Sequence, residues 1–387
     1  MRPSRRWVVA AGAGSVLARA AAAKGFAAKG VRMSGDYLAY VGCRTSRERN
    51  ARGDGINLYR VSSGTWTHLQ LVDDLANPSY LAFGVGGRTL YAVHGDATEV
   101  SAFRIDPASG RLAFLNRVST HGMNPVHLSA DPSGRFLVIA NHVTTPDYAS
   151  GLAVLALEPD GALGALADLV ALKGKIGPHR VEQPFPKPHQ VAFDPSGRFI
   201  LVPDKGRDVL ESYSLDAAGK LHLAGSARAQ EGAGPRHVAF RPKAAFAYLL
   251  NELNSTVEAF AFDPASGALH PLQVLPSLPD SFTGDSRASE IEVSRDGRFV
   301  YVSNRGGDSI GVFAIDPRSG RLAPRRWQAS GGRTPRFFAL SPDGRTLFAA
   351  NEDSDTIMAL AVGDSGLLGE PSLAAKVGSP TCVLFRT

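Results

Sequence analysis

The sequence predicts an all-β fold, a seven-bladed β-propeller whose closing blade is shared between the N- and C-terminal strands. Three observations predict it. One strand-turn-strand unit recurs along the 387 residues, its anchors are spaced as propeller blades are, and each end of the chain carries half a unit.

The unit is clearest at Pro188-His189-Gln190-Val191-Ala192-Phe193, which leads through Asp194-Pro195-Ser196-Gly197-Arg198 into Phe199-Ile200-Leu201-Val202-Pro203-Asp204. Pro fixes φ and Gly accepts a positive φ where a tight reversal needs each, while the flanking Val, Ile, Phe and Leu suit a pleated, buried surface. Matching units open at Pro78, Pro125, Pro235, Ala288 and Pro335. Pro380-Thr381-Cys382-Val383-Leu384-Phe385 supplies a first strand alone. Tyr37-Leu38-Ala39-Tyr40-Val41-Gly42 has the pattern of the second strand Phe299-Val300-Tyr301-Val302-Ser303-Asn304, so the two ends complete one blade between them.

From Pro78 the anchors step by 47, 63, 47, 53, 47 and 45 residues, and the two long steps read as loop insertions. A second turn signal recurs at Asp106-Pro107-Ala108-Ser109-Gly110, Asp263-Pro264-Ala265-Ser266-Gly267 and Asp316-Pro317-Arg318-Ser319-Gly320, with its Pro 29 residues past the anchor. That makes four strands per blade. Closure into a ring protects edges that an open sheet would expose. The repeat leaves no linker, so residues 37–387 are expected to form a single propeller domain, a monomer by default because a closed ring presents no free edge.

Charged residues are 20% and hydrophobic ones 44%, an ordinary globular balance. The formal charge of +6 is no cue for nucleic acid. Seven basic residues precede the first acid, Asp36, so the rest of the chain carries a net −1, and a near-neutral body has no electrostatic reason to seek a phosphate backbone. Residues 1–30 read as a twin-arginine-type export signal: Ser4-Arg5-Arg6-Trp7-Val8-Val9, a mildly apolar stretch through Ala18, and the small-residue run Ala20 to Ala23. The apolar stretch is too short to span a bilayer. A periplasmic or secreted location follows if the signal operates, and a cytoplasmic one if the segment is a disordered tail. Cys43 and Cys382 both fall in the split blade. They are either a disulfide pinning the ring or two buried thiols, because opposite positions need not meet disulfide geometry.

Register within the repeat locates the chemistry. The first strand of each blade lines the tunnel, and its first residue lies at the same end as the last residue of the antiparallel second strand. The position after each anchor reads Ser79, Val126, His189, Arg236, Ser289, Arg336 and Thr381. The position 17 past it reads Gly95, His142, Lys205, Glu252, Arg305 and Glu352, with Arg44 in the equivalent place of the split blade. Strand ends around a tunnel are a costly place for charge unless water or a ligand is present, so a polar site is expected here. A solvated mouth with internal ion pairs, Lys205 and Glu352 among them, is the alternative. The Asp-Pro-Ser-Gly turns lie at the opposite end and are structural.

Pro188-His189-Gln190-Val191, Gly234-Pro235-Arg236-His237, Leu250-Asn251-Glu252-Leu253-Asn254-Ser255 and Ser303-Asn304-Arg305-Gly306-Gly307-Asp308-Ser309-Ile310 together resemble the seven-bladed lactonase family, which includes propeller-type 6-phosphogluconolactonases and the fungal carboxy-cis,cis-muconate cyclase. The similarity covers about residues 37 to 387. It implies a catalytic quartet at His189, Arg236, Glu252 and Arg305, all within the two rings. Family members often carry His where this chain has Gly307, which points to a reshaped loop. The phosphorylated lactone of the pentose phosphate pathway is cytoplasmic, so an export signal argues against that substrate more than against lactone chemistry.

The quartet suits hydrolysis of a sugar-type or other acidic lactone. Glu252, among cations, is expected to stay ionised and take a proton from water. His189, expected to titrate near neutrality, protonates the ring oxygen or exchanges roles with Glu252. Arg236 and Arg305 offer forked donors to the oxyanion and to an acidic group. Arg336, Lys205, His142 and Arg44 are the expected substrate-binding residues. No cofactor or metal is expected: the histidines lack ligand spacing, and there is no Gly-x-Ser-x-Gly elbow. The same residues suit a muconate-type cycloisomerase, and a cationic funnel also suits a non-enzymatic exported propeller that binds a ligand or partner. Specificity is expected in the loops at about Thr144 to Lys187 and Pro279 to Arg287.

Overall fold

The computed structural model describes residues 36–387, and the export-signal reading of residues 1–30 lies outside them. The described chain forms seven four-stranded antiparallel sheets, accompanied by three single-turn 3₁₀ helices. The split blade runs Pro380–Arg386, Tyr37–Cys43, Ile56–Ser62, Thr65–Val72 from inside outward. Its inner strand touches the inner strands on both sides, Pro335–Leu340 and Leu81–Phe83, which closes the ring. Pairing of Val41 with Val383 and Tyr40 with Leu384 fixes the register of that closure.

Alternate residues of the middle strands fill the seams between blades, as the sequence Phe-Val-Tyr-Val-Ser-Asn at 299–304 illustrates: every one of these side chains is buried. A recurrent tyrosine in the second strand reaches across the seam to the third-to-fourth-strand turn of the next blade. Tyr40, Tyr91, Tyr248 and Tyr301 donate their hydroxyls to the carbonyls of Gly110, Gly161, Gly320 and Gly366 at 2.8–3.0 Å. The glycine is required: at Gly320 φ is +69°, and a Cβ would meet the Phe246 ring at 2.3 Å. The Asp-Pro-Ser-Gly turns are built the same way each time, with Asp131 and Asp194 accepting backbone N–H bonds from the strand that follows.

Cys43 and Cys382 are both buried free thiols. Cys382 faces Gly42, and the pairing slips by one residue before Cys43, so the expected opposition of the two sulfurs is offset and the disulfide alternative is not realised.

That slip recurs and positions the site. Pro235 pairs with Asn251 and His237 with Leu250, leaving Arg236 as the extra residue of a bulge. Arg336, Val126 and Thr381 are the extra residues at the corresponding places, and Ser289 with Glu290 span the slip in the blade that opens at Ala288. In a regular strand successive side chains face opposite ways, whereas a bulge re-aims one of them. Two consecutive residues of an inner strand can then face the tunnel.

Candidate active site

The two rings of positions are drawn to one level by a repeated backbone bond. The N–H groups of Gly95, Lys205, Glu252, Glu352 and Arg44 donate to the carbonyls of Asn77, Lys187, Gly234, Thr334 and Ser379, the residues just before the anchors, at 2.7–3.1 Å. In four blades the residue before the ring position is a buried asparagine, Asn141, Asn251, Asn304 or Asn351; Asn304 donates to the Ser277 carbonyl and Asn351 to that of Ser330. In Asn251-Glu252 and Asn304-Arg305 the asparagine serves the fold and leaves its successor free to face the tunnel.

These residues enclose a cavity of about 430 Å³ at the anchor end of the tunnel, lined by every member of the two rings except Ser289 and Glu352. All eight site residues expected from sequence, His189, Arg236, Glu252, Arg305, Arg336, Lys205, His142 and Arg44, are on its wall. Eight Lys and Arg side chains line it against four Asp and Glu.

Glu252 is the hub. One carboxylate oxygen accepts from Lys205 Nζ at 2.7 Å, and the other lies 3.3 Å from Arg236 Nε and 3.2 Å from an Arg305 terminal nitrogen. Burial alone would push its carboxyl up, yet Arg305, Lys205 and Arg236 together hold it well below the usual carboxylate range. It is ionised, as expected, with both oxygens taken up by Lys205, Arg236 and Arg305. Its geometry suits it to orient the cations. Arg236 also donates to the Ser289 carbonyl and Arg305 to that of Ala288.

His189 differs from expectation. It is buried, and burial together with the nearby Arg236, His142 and His237 holds its pKa well below the ordinary value. It is therefore neutral at working pH, a proton acceptor and not a ready donor. Its Nδ1 has no hydrogen-bond partner among the described residues. His142, whose Nδ1–H donates to the Pro188 carbonyl at 3.1 Å, is held neutral in the same way, by burial and then Lys205. Across the funnel, Arg44 and Arg336 share Glu352 at 2.9 and 3.7 Å. The repulsion of Arg336, then burial, disfavours the charge on Arg44, a strain that a bound anion would relieve. The pairing of Lys205 with Glu352 raised by the sequence is not formed, since each has other partners.

Among the lining groups that escaped the sequence reading, three bear on the chemistry. Glu182, from the long insertion, binds Lys205 at 2.9 Å and Arg287, from the second specificity loop, at 2.7 Å, so the two loops meet over the site. The third group is His237 with Glu290, one residue past the positions considered, whose side chains are 2.9 Å apart in the cavity wall. The bulges bring this position into view, and the consecutive polar pairs Arg236-His237 and Ser289-Glu290, which break the alternation of a strand, were the available signal.

Seven four-stranded sheets closed into a ring, with a cation-rich cavity at one end of the tunnel, define the class: a seven-bladed propeller. The chain belongs to the family described as "Lactonase, 7-bladed beta-propeller", whose profile matches residues 38–385. It is 34% identical to a 6-phosphogluconolactonase of Bacillus subtilis, over 90% of this chain and 98% of that protein. A 6-phosphogluconolactonase of Formosa agariphila is 31% identical, over 79% and 88%. Among solved structures, the periplasmic gluconolactonase of Pseudomonas aeruginosa superposes with a TM-score of 0.83 at 32% identity, covering 91% of this chain and 99% of that one.

Proposed function

We propose that the chain hydrolyses a sugar-type lactone carrying an anionic group. The observation that carries this reading is the buried Glu252 holding Lys205, Arg236 and Arg305 in one cavity, together with the kinship to proteins named lactonases. In the proposed mechanism neutral His189 accepts a proton from the attacking water. Arg236 and Arg305, aligned by Glu252, stabilise the oxyanion that forms on the carbonyl oxygen; loss of one such donor costs about 10² to 10³ in turnover. Arg44 and Arg336 take the phosphate or carboxylate of the substrate, which adds negative charge where the wall has an excess of cations. His142 and Lys205 complete the wall that orients the sugar.

Residues 1–30 are proposed to direct export, and the periplasmic source of the Pseudomonas relative supports that location. An exported enzyme would meet unphosphorylated sugar lactones or lactones of sugar acids. The test is hydrolysis of 6-phosphogluconolactone, gluconolactone and a carboxylated lactone in parallel, corrected for spontaneous opening. Turnover of at least one is expected, fastest where the substrate is anionic. Silence on all three from folded protein would leave a binding propeller as the better reading.

A further inference from the structure

Hydrolysis needs a proton for the departing ring oxygen as well as an acceptor for the proton of the attacking water, and in the mechanism above His189 fills the second role. We propose that His237 gives that proton, delivered to it through Glu290, which makes this pair the acid of the site. The inference rests on the hydrolase reading above.

The geometry is that of a proton-holding dyad. His237 and Glu290 are neighbours across adjoining inner strands, 2% and 6% exposed, with Nδ1 and Oε1 2.9 Å apart. The same oxygen accepts the Ile291 N–H at 3.0 Å, which fixes the carboxyl in place, while the other oxygen is buried without a partner among the described residues. Both side chains line the funnel cavity. Glu290 also lines a second cavity, about 500 Å³, on the far side of the waist that it forms with Tyr80 and Phe337. It therefore borders both cavities.

Burial raises the Glu290 carboxyl to about 8 against the opposing pull of Arg236, the Ile291 N–H and Arg336. Burial and then Arg236 and Arg336 keep the His237 imidazole from taking a second proton. Arg305 and Glu252 face His237 from the second strands, and the rings of Tyr80, His127 and His189 lie against it. Glu292, itself pushed up to about 7 by burial, neighbours Glu290 from the far cavity. At neutral pH the pair thus holds one proton on the Glu290 oxygen facing Nδ1, with Nε2–H left to the funnel.

The step balances. As the acyl carbon to ring oxygen bond breaks, the ring oxygen takes the Nε2 proton of His237, Nδ1 takes the Glu290 proton, and Glu290 is left as a carboxylate facing Arg236 and Arg336. The proton removed from water resides on His189, whose ring is centred 5.2 Å from that of His237, and its return restores the pair.

The donor is loaded below about 8 and is lost as pH rises through that value, so turnover should carry an alkaline limb there. Glu290→Gln cannot pass a proton on; turnover of an alkyl lactone should fall at least tenfold, within the 10² to 10⁴ that acid-base help typically supplies, and the limb should vanish. A carboxylated dihydrocoumarin, whose phenoxide leaves without a proton, should be hydrolysed by Glu290→Gln and His237→Gln within about twofold of wild type. Equal losses on both substrates would reduce the pair to a structural role and overturn the inference. Infrared difference spectra of wild type against Glu290→Gln provide a readout without turnover: a neutral-carboxyl band disappearing as pH passes about 8 is expected, and an ionised Glu290 at pH 7 would refute the assignment while leaving the hydrolase reading intact. Lactone silence of wild type with the band present would instead sink the hydrolase reading, and the acid step with it.

Discussion

Glu252 and Glu290 line one cavity, both buried, and their surroundings push them to opposite charge states. Glu252 is set where second strands end, among Lys205, Arg236 and Arg305, and stays ionised despite burial. Glu290 is set in an inner strand at the waist, against a neutral imidazole, and burial prevails over the more distant arginines. Depth alone does not decide the charge of a carboxyl. The number and approach of the partners do, and two identical side chains about one cavity can be assigned one to hold cations and the other to hold a proton.

The largest effect expected from breaking this contrast is at Glu252. Glu252→Gln leaves buried Arg236 and Arg305 without their counter-charge and Lys205 with Glu182 alone, and we expect turnover to fall about 10² to 10³ and the fold to lose roughly 3 kcal/mol, read by steady-state kinetics and denaturant melts. Wild-type stability in both would show that the cations are held by something else. His189→Asn should cut turnover at least tenfold while the melting temperature holds, the proton acceptor being removed from an intact funnel.

The contrast also predicts opposite pH slopes of stability. The depressed pKa of Glu252 contributes stability that is present above the ordinary carboxylate value and lost as pH falls below it. The raised pKa of Glu290 contributes stability that is present in acid and lost as pH climbs from the ordinary carboxylate value through about 8. Melts at several pH values should therefore show Glu252→Gln approaching wild type in acid, and Glu290→Gln gaining on wild type between pH 5 and 8. Parallel curves would remove the contrast. At the far side of the funnel, Arg336→Met should raise KM for a phosphorylated lactone about tenfold and leave that for gluconolactone nearly unchanged, since it removes one charge-assisted contact. The smallest effect is away from the site: Tyr248→Phe deletes one blade-to-blade hydrogen bond, for about 1 kcal/mol and no change in turnover.

Much of this was legible in the chain before folding. The period of the Pro anchors, and the half-unit at each end, are properties of sequence alone, and they carry the ring and its closure. The two rings followed from antiparallel register. What escaped has a common physical cause. The bulge at Arg236 breaks the two-residue alternation, so His237 faces the cavity when simple strand logic would turn it away. Glu182 comes from a loop, whose path no periodicity encodes, and Arg287 opens an inner strand one residue before the anchor, just outside the positions considered. The protonation of His189 was misjudged because a pKa depends on burial and on neighbours such as Arg236, which lies 47 residues away in sequence and beside it in the ring.

The account rests on a lactone being opened in a funnel whose cations Glu252 holds in place. The most direct measurement is proton release from 6-phosphogluconolactone and gluconolactone by the purified full chain and its Glu252→Gln variant, side by side at pH 7, with folding of both verified. Turnover by wild type well above spontaneous opening, and its near loss in the variant, are expected. Undiminished turnover in the variant, or none in wild type, would contradict the account.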